Sequence, residues 1–472
     1  MSGSSALPDV HAERAAVIMS KAAPCALLLA LVSFSAEGAR AGPPPEGDRQ
    51  ALTLADCLAL ARENNPVVSQ AQARIRELVA DYEATRSSFF PRVALTAYYQ
   101  RSDANRLPPG GFTPSGQRLF DEEALGTVSA RQALFEGGRT YYGTQAATLG
   151  VDAQRQELTR TEDEIAYTVT AAFFRLLEAK ESLRVAEEAQ HERQAFAAVA
   201  EAFFQAGKVT RLDSLRARSL VADADQAELE AGNAITLGRV ILATAVGLRN
   251  EARVDGLDVR GELPQDLPPG SDLGSLWQVA LRASPEIKKL ELNLAQSQAL
   301  IKAARGGYFP EVSLQGSVGL RHQNIAGTRG EWLMGAFLDF PIFEGGLTRA
   351  QVAKASSQRL QLLEQKRARL SNIKADLATA WRDQENARRG AATARQTVAT
   401  NAEAYASAEA LYRAGKAIAL DVLQTQADLT AARFSLVRYQ VSYVLAQARL
   451  SQIVHGADAD PSTATPTGSQ AK

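Results

Sequence analysis

The chain has 472 residues, 22% of them charged, and a net charge of −1 at neutral pH. That balance does not suggest a binder of nucleic acid or anionic lipid, and a hydrophobic share of 46% is ordinary for a folded chain. No run of about 18 apolar residues follows the N-terminus, so no membrane-crossing helix is expected.

Residues 1–41 read as a secretory signal. Lys21 leads into the short apolar run APCALLLALVSFS, and Ala39-Arg40-Ala41 is a small-residue cleavage box. Met19 would begin a signal of ordinary size. The two cysteines are Cys25, which leaves with the signal, and Cys57, which then has no partner for an intramolecular disulfide. The run LADC before Cys57 makes a poor lipid-attachment box.

The rest of the chain is written twice. Pro66 and Pro285 are 219 residues apart, as are Pro91 of SFFPRVAL and Pro310 of GYFPEVSL. Phe135 of LFEGGRT and Phe343 of IFEGGLT are 208 apart, as are Gly207 and Gly415 of the two AGK turns. The register holds, drops by 11 and holds again, so the first copy has an insertion, placed in the Pro/Gly-rich loop 103–117. The copies are 42–249 and 275–455, joined by the Pro/Gly-rich linker 250–274. A polar tail over 456–472 has the composition of disorder.

In chain order, the first copy opens with a helix and then offers strands at 93–100 and 127–135. Thr127, Ser129 and Arg131 share the polar face of the second. Long helices follow at 139–205 and 210–247, where proline is absent and Ala, Glu, Gln, Arg and Leu dominate. The second copy repeats the plan with strands at 312–320 and 332–343 and helices at 347–413 and 418–453. A helix of ~65 residues is about 100 Å long, too long for a compact domain. A soluble coiled coil has the same periodicity. The strands alternate apolar and polar over about ten residues, as in membrane barrels or in half-buried soluble sheets. Four strands leave two open edges, which lipid does not tolerate. Strands that cross a membrane here therefore need several chains to close one barrel.

These residues resemble the TolC-like outer membrane efflux proteins over about residues 50–455. The resemblance rests on DFPIFEGG (339–346), the FFP and YFP strand starts, the paired AGK turns and the duplication itself. It implies an internally duplicated α+β membrane protein with four transmembrane strands per chain. Those strands contribute to a homotrimeric 12-stranded barrel in the outer membrane, continued by a long periplasmic α-helical barrel. A belt forms near the chain ends and the linker. The partners implied are outer membrane lipid, a periplasmic adaptor and, through it, an inner membrane pump of RND, ABC or MFS type. The function implied is an exit duct for efflux or type I secretion, with no cofactor and no catalysis.

The same resemblance assigns Gly207, Lys208, Gly415 and Lys416 to the periplasmic tips that meet the adaptor, although a solvated turn lysine would look the same. It assigns Tyr412, Asp421 and Asp213 to the pore constriction. Asp421 is equally suited to stabilising a helix start. Gln424 stands where two-aspartate members carry a second carboxylate, and Ala417 replaces a locking arginine for which Arg211 is the available substitute. Phe135, Gly137, Gly138, Phe343, Gly345 and Gly346 read as strand-to-helix joints. Glu136 and Glu344 lie beside the helix starts that follow.

Two other function classes find little support. His191, His322 and His455 join no ligand cluster, and AFFQAGKVT (202–210) lacks the first glycine and the preceding strand of a phosphate loop. A periplasmic coiled-coil adaptor, the remaining rival, would have one helical hairpin between soluble β segments rather than two copies.

Overall fold

The computed structural model describes residues 51–101, 122–248, 254, 256–323 and 327–454. The expected signal, the loop 103–117, the tail and His455 lie outside them. In chain order the elements are α1 (Leu54–Asn64), α2 (Pro66–Arg86), β1 (Arg92–Arg101), β2 (Glu122–Glu136), α3 (Arg139–Gln205) and α4 (Arg211–Val246). The second copy follows with α5 (Leu273–Ala283), α6 (Pro285–Arg305), β3 (Glu311–Gln323), β4 (Gly327–Asp339), α7 (Leu347–Arg413) and α8 (Ala419–Val454).

The opening helix of each copy is broken in two, which the sequence reading did not anticipate. Pro66 and Pro285 each take the first position of a new helix, where a missing N–H costs nothing. The residues before them leave the helical region, Asn65 extended and Ser284 at φ −52° and ψ 118°, as steric conflict with the proline ring demands. Asn65 also caps α2, its Oδ1 accepting from Val67 N at 2.9 Å. A single 3-10 turn, Ser87–Phe89 or Gly306–Tyr308, then leads into the next strand.

The sheet order is β1-β2-β3-β4, antiparallel throughout. Both hairpins have one register. Arg92 faces Arg131 in the first and Glu311 faces Asp339 in the second, rungs related by the offsets of 219 and 208. One sheet face carries Val93, Leu95, Tyr99, Val128, Leu314, Val318, Leu320, Trp332, Met334 and Leu338, all exposed large hydrophobics. The other carries Thr127, Ser129, Arg131, Gln315 and Ser317, aligned by the ladder. Water would not tolerate the first face and lipid would not tolerate the second.

β4 corrects one expectation. The apolar alternation suggested a strand over 332–343, but β4 ends at Asp339, where its partner β3 begins. Pro341 has no N–H to give, and β4 is an edge strand with no ladder on its far side. Phe343 is therefore beyond the strand and 90% exposed. Its counterpart Phe135 is inside β2, which has partners on both sides and bulges between Ala133 and Phe135.

β1 and β3 follow α2 and α6, and β2 and β4 lead into α3 and α7. The two 67-residue helices α3 and α7 run against α4 and α8 over their far halves, and α6 fills the gap between them near the sheet. Where backbones approach most closely the residue is small. A Cβ on Gly390 would stand 2.5 Å from the ring of Tyr439, and one on Gly238 would stand 3.1 Å from Leu176.

The largest core lies midway along the molecule, where Phe173, Leu176, Leu242, Val246, Val441 and Val444 meet the linker residues Leu257 and Val259. The linker is strapped down by polar bonds as well. Leu52 pairs with Val259 in a short parallel bridge. Lys180 Nζ reaches Asp258 at 2.6 Å, Gln440 donates to the Pro264 carbonyl and Tyr443 to that of Pro268.

One helix departs from expectation in composition. α4 has a window long and apolar enough to cross a membrane. It is a partner of α3, not an isolated span, and its exposed large apolar residues are Leu212 and Leu215 near the tip and Leu229, Leu237, Val240 and Ile241 further along.

Candidate pore entrance and membrane joints

At the far end of each hairpin the chain turns through a glycine. Gly207 and Gly415 have φ of 71° and 70°, the left-handed conformation that ends a helix at little steric cost for glycine. In the first turn Lys208 N bonds the Phe203 carbonyl at 2.8 Å and Gly207 N bonds that of Phe204 at 2.9 Å. The second turn repeats both bonds from Lys416 to Leu411 and from Gly415 to Tyr412. Each is a complete Schellman cap. Lys208 Nζ lies 5.2 Å from the Phe203 ring centre, a cation–π contact that holds the ammonium against the turn.

The aspartates after the turns begin the returning helices. Asp213 completes a capping box: its Oδ2 accepts from Thr210 N at 3.2 Å and Thr210 Oγ1 at 2.7 Å, while its own N–H reaches Thr210 Oγ1. In the second copy Ile418 replaces Thr210. Asp421 therefore keeps only the Ile418 N–H, at 3.3 Å, and is exposed. Gln424 Nε2 donates to Asp428 at 3.2 Å. Arg211 is exposed, and Ala417 packs at the edge of the tip core.

Tyr412 is 3% exposed and sits between the rings of Phe196 and Phe203, at centroid distances of 5.1 and 5.5 Å. Both phenylalanines belong to α3, so this one ring joins the two copies. The cluster also holds Ala200, Ala217, Val422 and Leu423. The Tyr412 hydroxyl has no hydrogen-bond partner among the described residues. Burial, and secondarily the charge of Asp213, push its phenol above the ordinary range. The structure thus brings Tyr412 and Asp213 together and leaves Asp421 on the surface. Sequence reading missed Phe196 and Phe203, because aromatic residues at helical spacing carry no mark of which helix they will meet.

At the other end, the two Phe-Glu-Gly-Gly joints share one backbone geometry. Gly137 and Gly345 both have φ of 62°, and Gly138 and Gly346 have 82° and 85°. The threonine that recurs after each motif has a role: Thr348 Oγ1 donates to Glu344 at 2.7 Å, and Thr140 donates to Glu136 in the same way. The carboxylate thus holds the first turn of the long helix, where negative charge is favoured. The joints differ in surroundings. A Cβ on Gly137 would meet the Gly306 carbonyl oxygen at 2.3 Å, whereas Gly345 and Gly346 have nothing within 4 Å.

Cys57 is fully buried in the central core, and burial pushes its thiol up to about 11. It is a packing residue.

An exposed apolar sheet face, a polar opposite face and helices of about 100 Å are features of a membrane duct. Residues 57–248 and 276–455 match the outer membrane efflux protein family. The chain belongs to that family. It is an outer membrane channel that extends into the periplasm. Among curated relatives, the outer membrane efflux protein BepC of Brucella suis is 27% identical over 407 residues, spanning 84% of this chain and 83% of that one. The pyoverdine export outer membrane protein OpmQ of Pseudomonas putida is 26% identical, over 85% and 86% of the two chains. Among solved structures, the CmeC outer membrane channel of Campylobacter jejuni superposes with a TM-score of 0.75 at 17% identity, covering 85% of each chain. That likeness extends the agreement to the fold over 85% of each chain. Family and structural relatives are channels, which leaves the adaptor reading without support.

Proposed function

We propose that three copies of this channel close one barrel and serve as the exit duct of a tripartite efflux or type I secretion system. An inner membrane pump delivers cargo through a periplasmic adaptor that docks at the tips, Gly207-Lys208 and Gly415-Lys416. The entrance is narrowed by the Tyr412 and Asp213 packing and by the exposed Asp421, with Arg211 as the nearest candidate for the missing lock. The copies 42–249 and 275–455 act as equivalent halves about the linker 250–274.

The observation that carries this reading is that β1 and β4 are both free edges of a sheet whose outer face is apolar. Unpaired backbone groups are not tolerated in lipid, so β4 of one chain must pair with β1 of the next. The repeat supplies the register. The offsets of 208 and 219 carry the β2–β3 rung Val128–Val318 to Ala336 and Tyr99. The helices agree. Leu229, Leu237 and Val240 are exposed on α4, yet their second-copy counterparts Val437, Leu445 and Ala448 are buried or half-buried against neighbouring helices. The exposed stripe on α4 is thus the surface an adjoining copy covers.

The test is a Tyr99→Cys/Ala336→Cys double variant, oxidised in outer membranes and run without reductant. A ladder of dimers and trimers is the expected result. Monomers alone, with both thiols free, would overturn the closure.

A further inference from the structure

The rung nearest the periplasm in each hairpin sets like charges against each other. Arg92 of β1 stands opposite Arg131 of β2, and Glu311 of β3 stands opposite Asp339 of β4. Like charges directly opposite destabilise a ladder. All four residues lie in register with Ser129 and Gln315, hence on the polar face that lines the lumen. Inside one chain the conflict is half relieved: Arg131 Nη2 reaches across β2–β3 to Glu311 Oε1 at 3.1 Å. Arg92 and Asp339 are left on the two free edges, both exposed and outside every ion pair among the described residues.

The repeat relates these two leftovers to the bonded pair. An offset of 208 carries Arg131 to Asp339, and 219 carries Glu311 back to Arg92. Both signs are inverted, so the pair remains complementary.

We propose that Arg92 of one protomer and Asp339 of its neighbour form the ion pair that closes each barrel seam. With Arg131 and Glu311 they complete a ring of charges, Arg-Arg-Glu-Asp three times around the lumen at its periplasmic end. Each like-charged rung then has an opposite pair on both sides. These four residues carry equal numbers of positive and negative charges, and Glu136, in register with Glu311 across β2–β3, adds a further carboxylate at the same end. The partner the ring recognises is a second copy of this chain.

The inference rests on the three-copy closure proposed above, and the experiment separates the two. Arg92→Glu, Asp339→Arg and the double exchange are each built with and without the Tyr99→Cys/Ala336→Cys pair. Each single change also turns a like-charged rung into an opposite one inside its own hairpin, so protomer folding is not the casualty. Monomer release from purified trimers should be about tenfold faster in either single variant, the two seams that break each contributing about threefold. It should return to the parental rate or slower in the double exchange. In about 1 M salt, where the Debye length falls to about 3 Å, the differences should shrink. If the cysteine pair cross-links but the double exchange is no better than the worse single variant, the seam pair is wrong and the closure stands. A failed cross-link removes the closure and the ring together.

Discussion

At the residue scale the informative case is Tyr412. The resemblance places it at the entrance, and the sequence cannot say whether its ring or its hydroxyl matters. In the fold the ring is clamped by Phe196 and Phe203 and the hydroxyl has no partner among the described residues. A buried hydroxyl without a partner carries a desolvation cost. Tyr412→Phe should therefore leave tip stability unchanged or raise it by up to about 1 kcal/mol, while Tyr412→Ala should cost about 3 kcal/mol. Thermal unfolding of the purified channel would show both. A Phe variant as damaged as the Ala variant would point to a hydroxyl contact made only in the assembly. The aspartates separate in the same way. Thr210 is in the sequence beside Asp213 and Ile418 beside Asp421, so the capping difference was legible there once the helix starts were known.

At the scale of elements, the long helices were legible almost to the residue. Proline is absent throughout, and glycine marks both ends by its φ above zero. The strand edges were not. The alternation of Trp332, Met334, Leu338 and Phe340 continues past Asp339, but a strand lasts only as long as its hydrogen-bonding partner. The joints carry a prediction at this scale. Gly137→Ala drives a Cβ into the Gly306 carbonyl and should reduce the yield of folded protein. Gly345→Ala has open space around it within the chain, but the proposed closure would put Ser87 of the next protomer where Gly306 stands beside Gly137. Its protomer should fold, and its trimer yield should fall. Gel analysis of unheated samples distinguishes the two. Equal trimer loss with equal protomer loss would mean that the positive φ alone sets the penalty.

At the scale of the whole molecule the entrance and the barrel can be compared in one measurement. Asp421 is exposed and would repeat around the threefold axis, a ring of carboxylates that attracts cations. Asp421→Ala should weaken block by multivalent cations in planar bilayers several-fold. Asp213→Ala, whose carboxylate is held by Thr210, should change block less and helix stability more, by about 1 kcal/mol. Equal effects on block would assign both aspartates to the pore. The duplication, the order of strands and helices, the glycine turns and the two-faced strands were determined by sequence alone. They depend on local rules: helix propensity, the period of two along a strand, and the φ that glycine permits. The end of β4, the aromatic clamp on Tyr412 and the meeting of Arg131 with Glu311 were decided only by the tertiary structure. Each depends on which distant segment lies alongside, and residues 180 apart in the chain, as Arg131 and Glu311 are, meet only when the ladder fixes their register.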